Sequence, residues 1–372
     1  MKVTKSVRVA AALVGLLAAV VLGATGGAVR AQEVARPLLP KERFPYGSEV
    51  FTAMIDDSYR LAPDGRTLPE FYGFYRDRVR QAAERTRIPA LATVSLEEYL
   101  NREGQRIAGI RSPEERLRAE LELSDGVFRI VKKSITRFSL DRGFEFAGVV
   151  RTGERQCLLQ SVLVAGMLQK AGLPAGVVMV WKGETGEASN LGHCVALMRH
   201  CDGTDRILDV STHNVPDLMH RGLYLCNPQN SGYLFVEPVF DAGTRRIREY
   251  LPVKGGRTIP AHQVRPLTVS FLRSQFDFYR GERAPGRLIW KQATPEALER
   301  SAQALERAVR TCPQNPLATY YLGRVRARQG QEQAARQRFA AAFRLYEMQG
   351  WVPDSATEVY ALAKLKAVAA RP

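Results

Sequence analysis

RTGERQCLLQSVLVAGMLQKAGLP, running from Arg151 to Pro174, sets a cysteine directly ahead of a dozen almost unbroken apolar or small residues. Leu158, Leu159, Val162, Leu163, Gly166, Met167 and Leu168 cover nearly every face of a helix and leave only Gln160, Ser161 and Gln169 polar, the pattern of a helix buried all round. Gly172 falls where a C-terminal cap needs a left-handed residue, and Pro174 cannot continue the turn. The spacing therefore predicts a central helix over 157–170 with Cys157 in its first turn. The N–H groups of that turn have no intrahelical partner, so they favour thiolate over thiol and suit a developing oxyanion. The competing account is that Cys157 is a small core hydrophobe.

Outward from this helix the pattern changes. AGVVMVWKG, HCVALMR and RILDVS are short, rich in β-branched residues and bounded by Gly or Asp, which predicts strands at 175–182, 193–199 and 206–210. Asp202-Gly203 lies between the second and third, a hairpin signal, and GYLFVEPVF (232–240) offers a fourth strand. Upstream, a Pro-rich lead-in (RPLLPKERFPYGSE) precedes helices predicted from about Leu68 to Arg87, from Ser95 to about Ile110, and from Ser112 to about Phe138. Ser95 with Glu98 and Ser112-Pro113-Glu114-Glu115 supply capping boxes. The fold class is α+β.

A nucleophilic thiol needs a base within reach and a third group to orient that base. Gly192-His193 opens the second strand and Leu208-Asp209 closes the third, so an antiparallel hairpin brings His193 and Asp209 near one end of the ladder. A metal site is the rival, because His193, Cys194, His200, Cys201 and His213 are dense in soft ligands. Structural zinc pairs its ligands at gaps of about two to four residues, whereas Cys194 and Cys201 are seven apart. No metal ligand and no cofactor is expected.

TGERQCLLQSVLVAGMLQKAGLP, NLGHCVALM and RILDVST, in that order, resemble the transglutaminase-like superfamily, a branch of the papain-like cysteine enzymes. Its motifs are polar residues and a Gly before a helix-starting Cys, a Gly-His at a strand start and an Asp at the end of the next strand. The likeness spans about residues 112–212; Leu158 and Cys194-Val195 stand where that family often has aromatic residues. It implies a transglutaminase-like core, a central helix on an antiparallel sheet, with Cys157 as nucleophile, His193 as base and Asp209 as orienting carboxylate. It implies a cysteine-dependent peptidase or amidase, working through an acyl-enzyme on a peptide or protein substrate. The alternative is a catalytically silent scaffold.

From Thr294 the chain reads as helical again. NPLATYYLGRVRARQGQEQAARQRFAAAF resembles the tetratricopeptide pattern, with Leu322-Gly323, Ala335, Phe339 and Ala342 at its small or apolar positions and Leu305, Ala308 and Pro313 at the matching marks one repeat earlier. Fewer than three repeats seldom stand alone, so this tail is expected to pack on the preceding domain and to offer a surface for a protein partner. The expected division is a signal peptide at 1–31, a helical region at 32–111, a transglutaminase-like domain at 112–285 and helical repeats at 290–372.

The signal peptide rests on Lys2, Lys5 and Arg8, an apolar run from Val9 to about Ala24, and small residues ending Val29-Arg30-Ala31. It points to an extracytoplasmic protein, periplasmic or secreted, in contact with a membrane only if the segment is not cleaved. The 372 residues, 45% hydrophobic and 25% charged, argue against disorder. Net charge is +16, or +12 without Lys2, Lys5, Arg8 and Arg30; its cations are interleaved with acids as in SPEERLRAELE, so nucleic acid is not an expected partner. Five cysteines leave at least one free, with Cys157 the candidate, and any pairing among Cys194, Cys201, Cys226 and Cys312 open.

Overall fold

Capping side chains start the first four helices; the caps at Ser95 and Ser112 are those the sequence marks, whereas the helix that Ser48 starts is one it does not. In the computed structural model, Ser48 caps α1 (Glu49–Leu61), Glu70 caps α2 (Phe71–Thr86), Ser95 caps α3 (Leu96–Ala108) and Ser112 caps α4 (Pro113–Ser134), each accepting from a first-turn N–H. The structure describes residues 38–62, 64–211, 218–230, 232–283 and 293–369, and only the backbone of 190, 191 and 363–369. The expected signal segment and His213 lie outside the described residues. Helix α4 ends short of Phe138 because Arg137 and Phe138 turn extended and pair in parallel with Glu154 and Arg155. A short α5 (Phe146–Thr152) intervenes, and α6 spans Cys157–Lys170, buried along its length except at Lys170. Gly172, at φ +80°, makes the left-handed turn out of it.

The chain then builds a seven-stranded sheet from β1 (Ala175–Lys182), β2 (Ala188–Arg199), β3 (Asp205–Leu208), β4 (Gly222–Cys226), β5 (Tyr233–Phe240), β6 (Ile247–Pro252) and β7 (Ile259–Pro260). Its order is β3-β2-β1-β4-β5-β6-β7 and every pairing is antiparallel. Asp205 of β3 also pairs with Ile247 of β6, so the sheet curls round until it closes on itself. Alternate residues therefore enter two cores. Val178, Val180, Val195, Leu197, Ile207, Leu223, Leu225 and Val236 fill the inside of the curl, while Val177, Met179, Cys194, Ala196 and Met198 face the core that holds α6. The hairpin between β2 and β3 turns at Gly203, φ +81°.

Five further helices complete the described chain: α7 (Val269–Glu282), α8 (Pro295–Thr311), α9 (Pro316–Arg328), α10 (Glu332–Gln349) and α11 (Asp354–Ala369). The tail packs on what precedes it. Ser301 Oγ donates to the Gly281 carbonyl at 2.6 Å, Ser274 Oγ to that of Ala308 at 2.8 Å, and Tyr224 Oη to Gln349 Oε1 at 3.0 Å, while Trp351 lies 4.8 Å from the Trp181 ring. Between α9 and α10, a Cβ on Gly323 would stand 2.7 Å from the Phe339 ring, so only glycine allows this approach. One apolar core runs from Phe44 to Ala356 through all of these elements. No helix among the described residues is long and apolar enough to cross a membrane. The α+β class holds, with a helical C-terminal region.

Candidate active site

Helix α6 begins with Gln156 as its cap; the Gln156 side-chain oxygen accepts from Leu158 N at 3.1 Å. Cys157 is thereby fixed as the first helical residue, and it is buried to 3% exposure. One turn later Ser161 Oγ reaches the carbonyls of Cys157, at 2.8 Å, and Cys194, at 3.0 Å, which ties the first turn of α6 to β2. Cys157 Sγ lies 3.9 Å from the Gly192 carbonyl oxygen, on which Tyr279 Oη also donates at 2.8 Å. Gln156 Nε2 is buried beside this turn with no hydrogen-bond partner among the described residues.

His193 shares the parity of Val195 and Leu197, and Asp209 that of Ile207, so both belong to the inner face of the curled sheet and stand at its mouth, where α6 begins. His193 Nε2 and Asp209 Oδ2 are 2.7 Å apart. The other carboxylate oxygen, Oδ1, accepts from Ser211 N at 2.9 Å and Ser211 Oγ at 2.5 Å. The peptide carbonyl between them, that of Val210, receives Lys132 Nζ at 2.9 Å, Gln160 Nε2 at 3.3 Å and an Arg155 guanidinium nitrogen at 3.5 Å. A second imidazole completes the group, with His220 Nε2 3.0 Å from Asp209 Oδ2. With Nε2 on the carboxylate, Nδ1 is the His193 nitrogen left for the Cys157 thiol, with which the ring interacts.

Charge follows from this arrangement. The Cys157 thiol is lowered well below the ordinary range, chiefly by a hydrogen bond from the Cys194 side chain and, against burial, by the hydrogen bond and charge of His193. Burial alone would lower His193, but its hydrogen bonds and charge interactions with Asp209 and Cys157 push it up to about 10. Burial would raise Asp209; hydrogen bonds from His193, His220 and Ser211 hold its carboxyl well below the usual carboxylate range instead. Both directions favour a thiolate beside an imidazolium.

Of the five residues of the sequence-level metal rival, the four that the structure describes do not converge. Cys194 Sγ sits on Met179 Sδ at 3.1 Å, whereas His200 is fully buried against Glu120 at the other end of β2, where Glu120 also accepts from Cys201 N at 2.8 Å. All five cysteines are free thiols, so the pairing left open among the last four does not occur. A different trio does converge: His193, Asp209 and His220 offer ligand atoms all within 4.8 Å of one another. His220, Gln156, Ser211 and Tyr279 went unread in the sequence. The signal for His220 was topological, since it lies two residues before β4, whose Gly222 pairs with Lys182 at the same end of β1 at which Val180 pairs with His193.

Set against protein-family models, curated proteins and solved structures, the chain matches none of them.

Proposed function

We propose that this protein is a transglutaminase-like, cysteine-dependent hydrolase that cleaves peptide or amide bonds of an extracytoplasmic substrate. The observation that carries the reading is the 2.7 Å contact of His193 Nε2 with a carboxylate, which leaves Nδ1 to a thiol at a helix start. The Cys157 thiolate attacks the carbonyl carbon, and the charge that develops on oxygen meets the Cys157 N–H and the unpartnered Gln156 amide. His193 Nδ1–H protonates the leaving amine, the acyl group stays on sulfur, and neutral His193 then takes a proton from the water that releases the acid. Asp209 holds the ring in the tautomer and orientation these transfers need. The close helix pair around Gly323 supports a tetratricopeptide-like tail that holds a protein partner.

One observation favours a second reading, a silent scaffold: the thiol is only 3% exposed. Alkylation of Cys157 against pH separates the two. An ion-paired thiol reacts well below about pH 8.5, the value of a free cysteine, and loses that advantage in His193→Ala. Peptide hydrolysis by the wild type falls roughly 10³-fold or more in Cys157→Ser. If wild type and His193→Ala titrate alike near the free-thiol value, the scaffold reading takes over.

A further inference from the structure

We propose that Asp209 and the two imidazoles that share its Oδ2 form a site for a borderline-soft divalent cation of the zinc class, whose binding switches off Cys157 chemistry. The binding half stands on the geometry alone; the switch rests on the hydrolase reading above. His193 Nε2 and His220 Nε2 lie 2.7 Å and 3.0 Å from Asp209 Oδ2, and all three atoms fall within 4.8 Å of one another. Two imidazole nitrogens and one carboxylate oxygen are a zinc ligand set that leaves a fourth position open. Calcium and magnesium favour oxygen-rich shells instead. Bonds of about 2.0–2.2 Å to a tetrahedral ion place ligand atoms roughly 3.3 Å apart, so small shifts suffice to replace the two shared protons by a cation. Asp209 and His220 are held rigidly, with side chains 1% and 9% exposed, and His193, at 25%, faces the way in. Lys132 and Arg155 are close, and each donates to the Val210 carbonyl rather than directly to the carboxylate.

The proton balance explains the switch. In the hydrolase reading His193 carries a proton on each nitrogen. The cation takes Nε2 and that proton leaves to solvent, while the proton shared between His220 Nε2 and Asp209 is likewise displaced. His193 Nδ1–H stays on the thiolate, but giving it to a leaving amine would now create an imidazolate. Amide cleavage therefore stalls with the thiolate intact. Acylation by an activated aryl ester, whose leaving group needs no proton, is spared as a single burst, because the metal-held ring has no nitrogen left to take a proton from the water that releases the acid.

Cobalt is the probe, because its visible bands report coordination. The reduced, chelator-stripped full chain should bind one Co²⁺ with four-coordinate d–d bands and no sulfur-to-metal charge-transfer band, and Cys157→Ser should give the same spectrum. His220→Gln, which keeps a donor near the Nε2 position, should weaken binding by more than the about 10-fold that loss of an outer-shell partner costs; if it does not fold, His193→Gln takes its place. Saturating Zn²⁺ should displace the cobalt, slow amide hydrolysis and leave alkylation of Cys157 unchanged. Absence of the bands, bands undiminished in His220→Gln, or a charge-transfer band abolished by Cys157→Ser would overturn the site. Hydrolysis accelerated by Zn²⁺ in Cys157→Ser would overturn the switch. Failure of the hydrolase reading shows separately, as an ordinary alkylation profile in metal-free protein whose cobalt bands are unaltered.

Discussion

Strand β2 carries one histidine midway along it and another just past its far end, and each meets a buried carboxylate. At its far end His200 is wholly buried, its Nδ1 3.4 Å from Glu120, and Glu120 is further tied to Arg116 and to the Cys201 N–H. Midway along it His193 meets Asp209 at 2.7 Å, but the ring is partly exposed and interacts with the Cys157 thiol. Each pair sets an imidazole against a carboxylate, Glu120 in the first and Asp209 in the second, and the two differ in surroundings. The first joins α4 to the β2–β3 hairpin and offers no nucleophile; the second stands at the mouth of the curled sheet. A histidine–carboxylate contact is a fastening in one place and, on the function proposed above, a proton relay in the other.

Three substitutions sharpen that contrast. The largest effect is expected at Glu120→Ala, which leaves buried His200 without its carboxylate: breaking a buried pair costs about 3–5 kcal/mol, read by denaturant melts, while the alkylation profile of Cys157 stays as in the wild type. A profile that moved with Glu120 would merge the two pairs. Asp209→Asn comes next. The carboxyl of Asp209 titrates below its ordinary value in the folded chain, so its stabilisation is complete above about pH 3.9 and drains away as pH falls beneath that. The amide variant should be less stable than wild type at neutral pH by about 1–3 kcal/mol and should lose less on acidification. Equal acid slopes for the two proteins would remove Asp209 from the relay. Smallest is Tyr279→Phe, which deletes the donor on the Gly192 carbonyl. It should cost about 1 kcal/mol and loosen the turn over Cys157, seen as faster alkylation at a fixed pH. Unchanged alkylation would show that Tyr279 is no part of the cover.

Helix α6 was legible to the residue, since its start, its apolar run and its exit at Gly172 are all local signals. Strand β1 was equally plain. By contrast β2 begins at Ala188, five residues before the expected start, because ASNLG has no apolar alternation and is held only by pairing past the irregularity between Val180 and Lys182. Strand β3 spans Asp205–Leu208 rather than 206–210, and Asp209 follows it instead of closing it. Closure of the sheet depends on Asp205 meeting Ile247, a contact between residues far apart in the chain that leaves no trace in either neighbourhood. The Cys157, His193 and Asp209 set could be read because each lies in or beside a well-marked apolar run. His220 precedes an element that carried no such mark.

The peptide group joining Val210 to Ser211 gives the site a property that no side-chain contact supplies. Its carbonyl receives Lys132, Arg155 and Gln160, two of them cations, and its N–H is the one that donates to Asp209 Oδ1. Positive charge on the oxygen draws electrons through the amide and makes that N–H a stronger donor, by about 10–30% per bond in a chain of this kind. The amide thus works as a conductor: helix α4 and the segment before α6 lend their charge to a carboxylate they never touch.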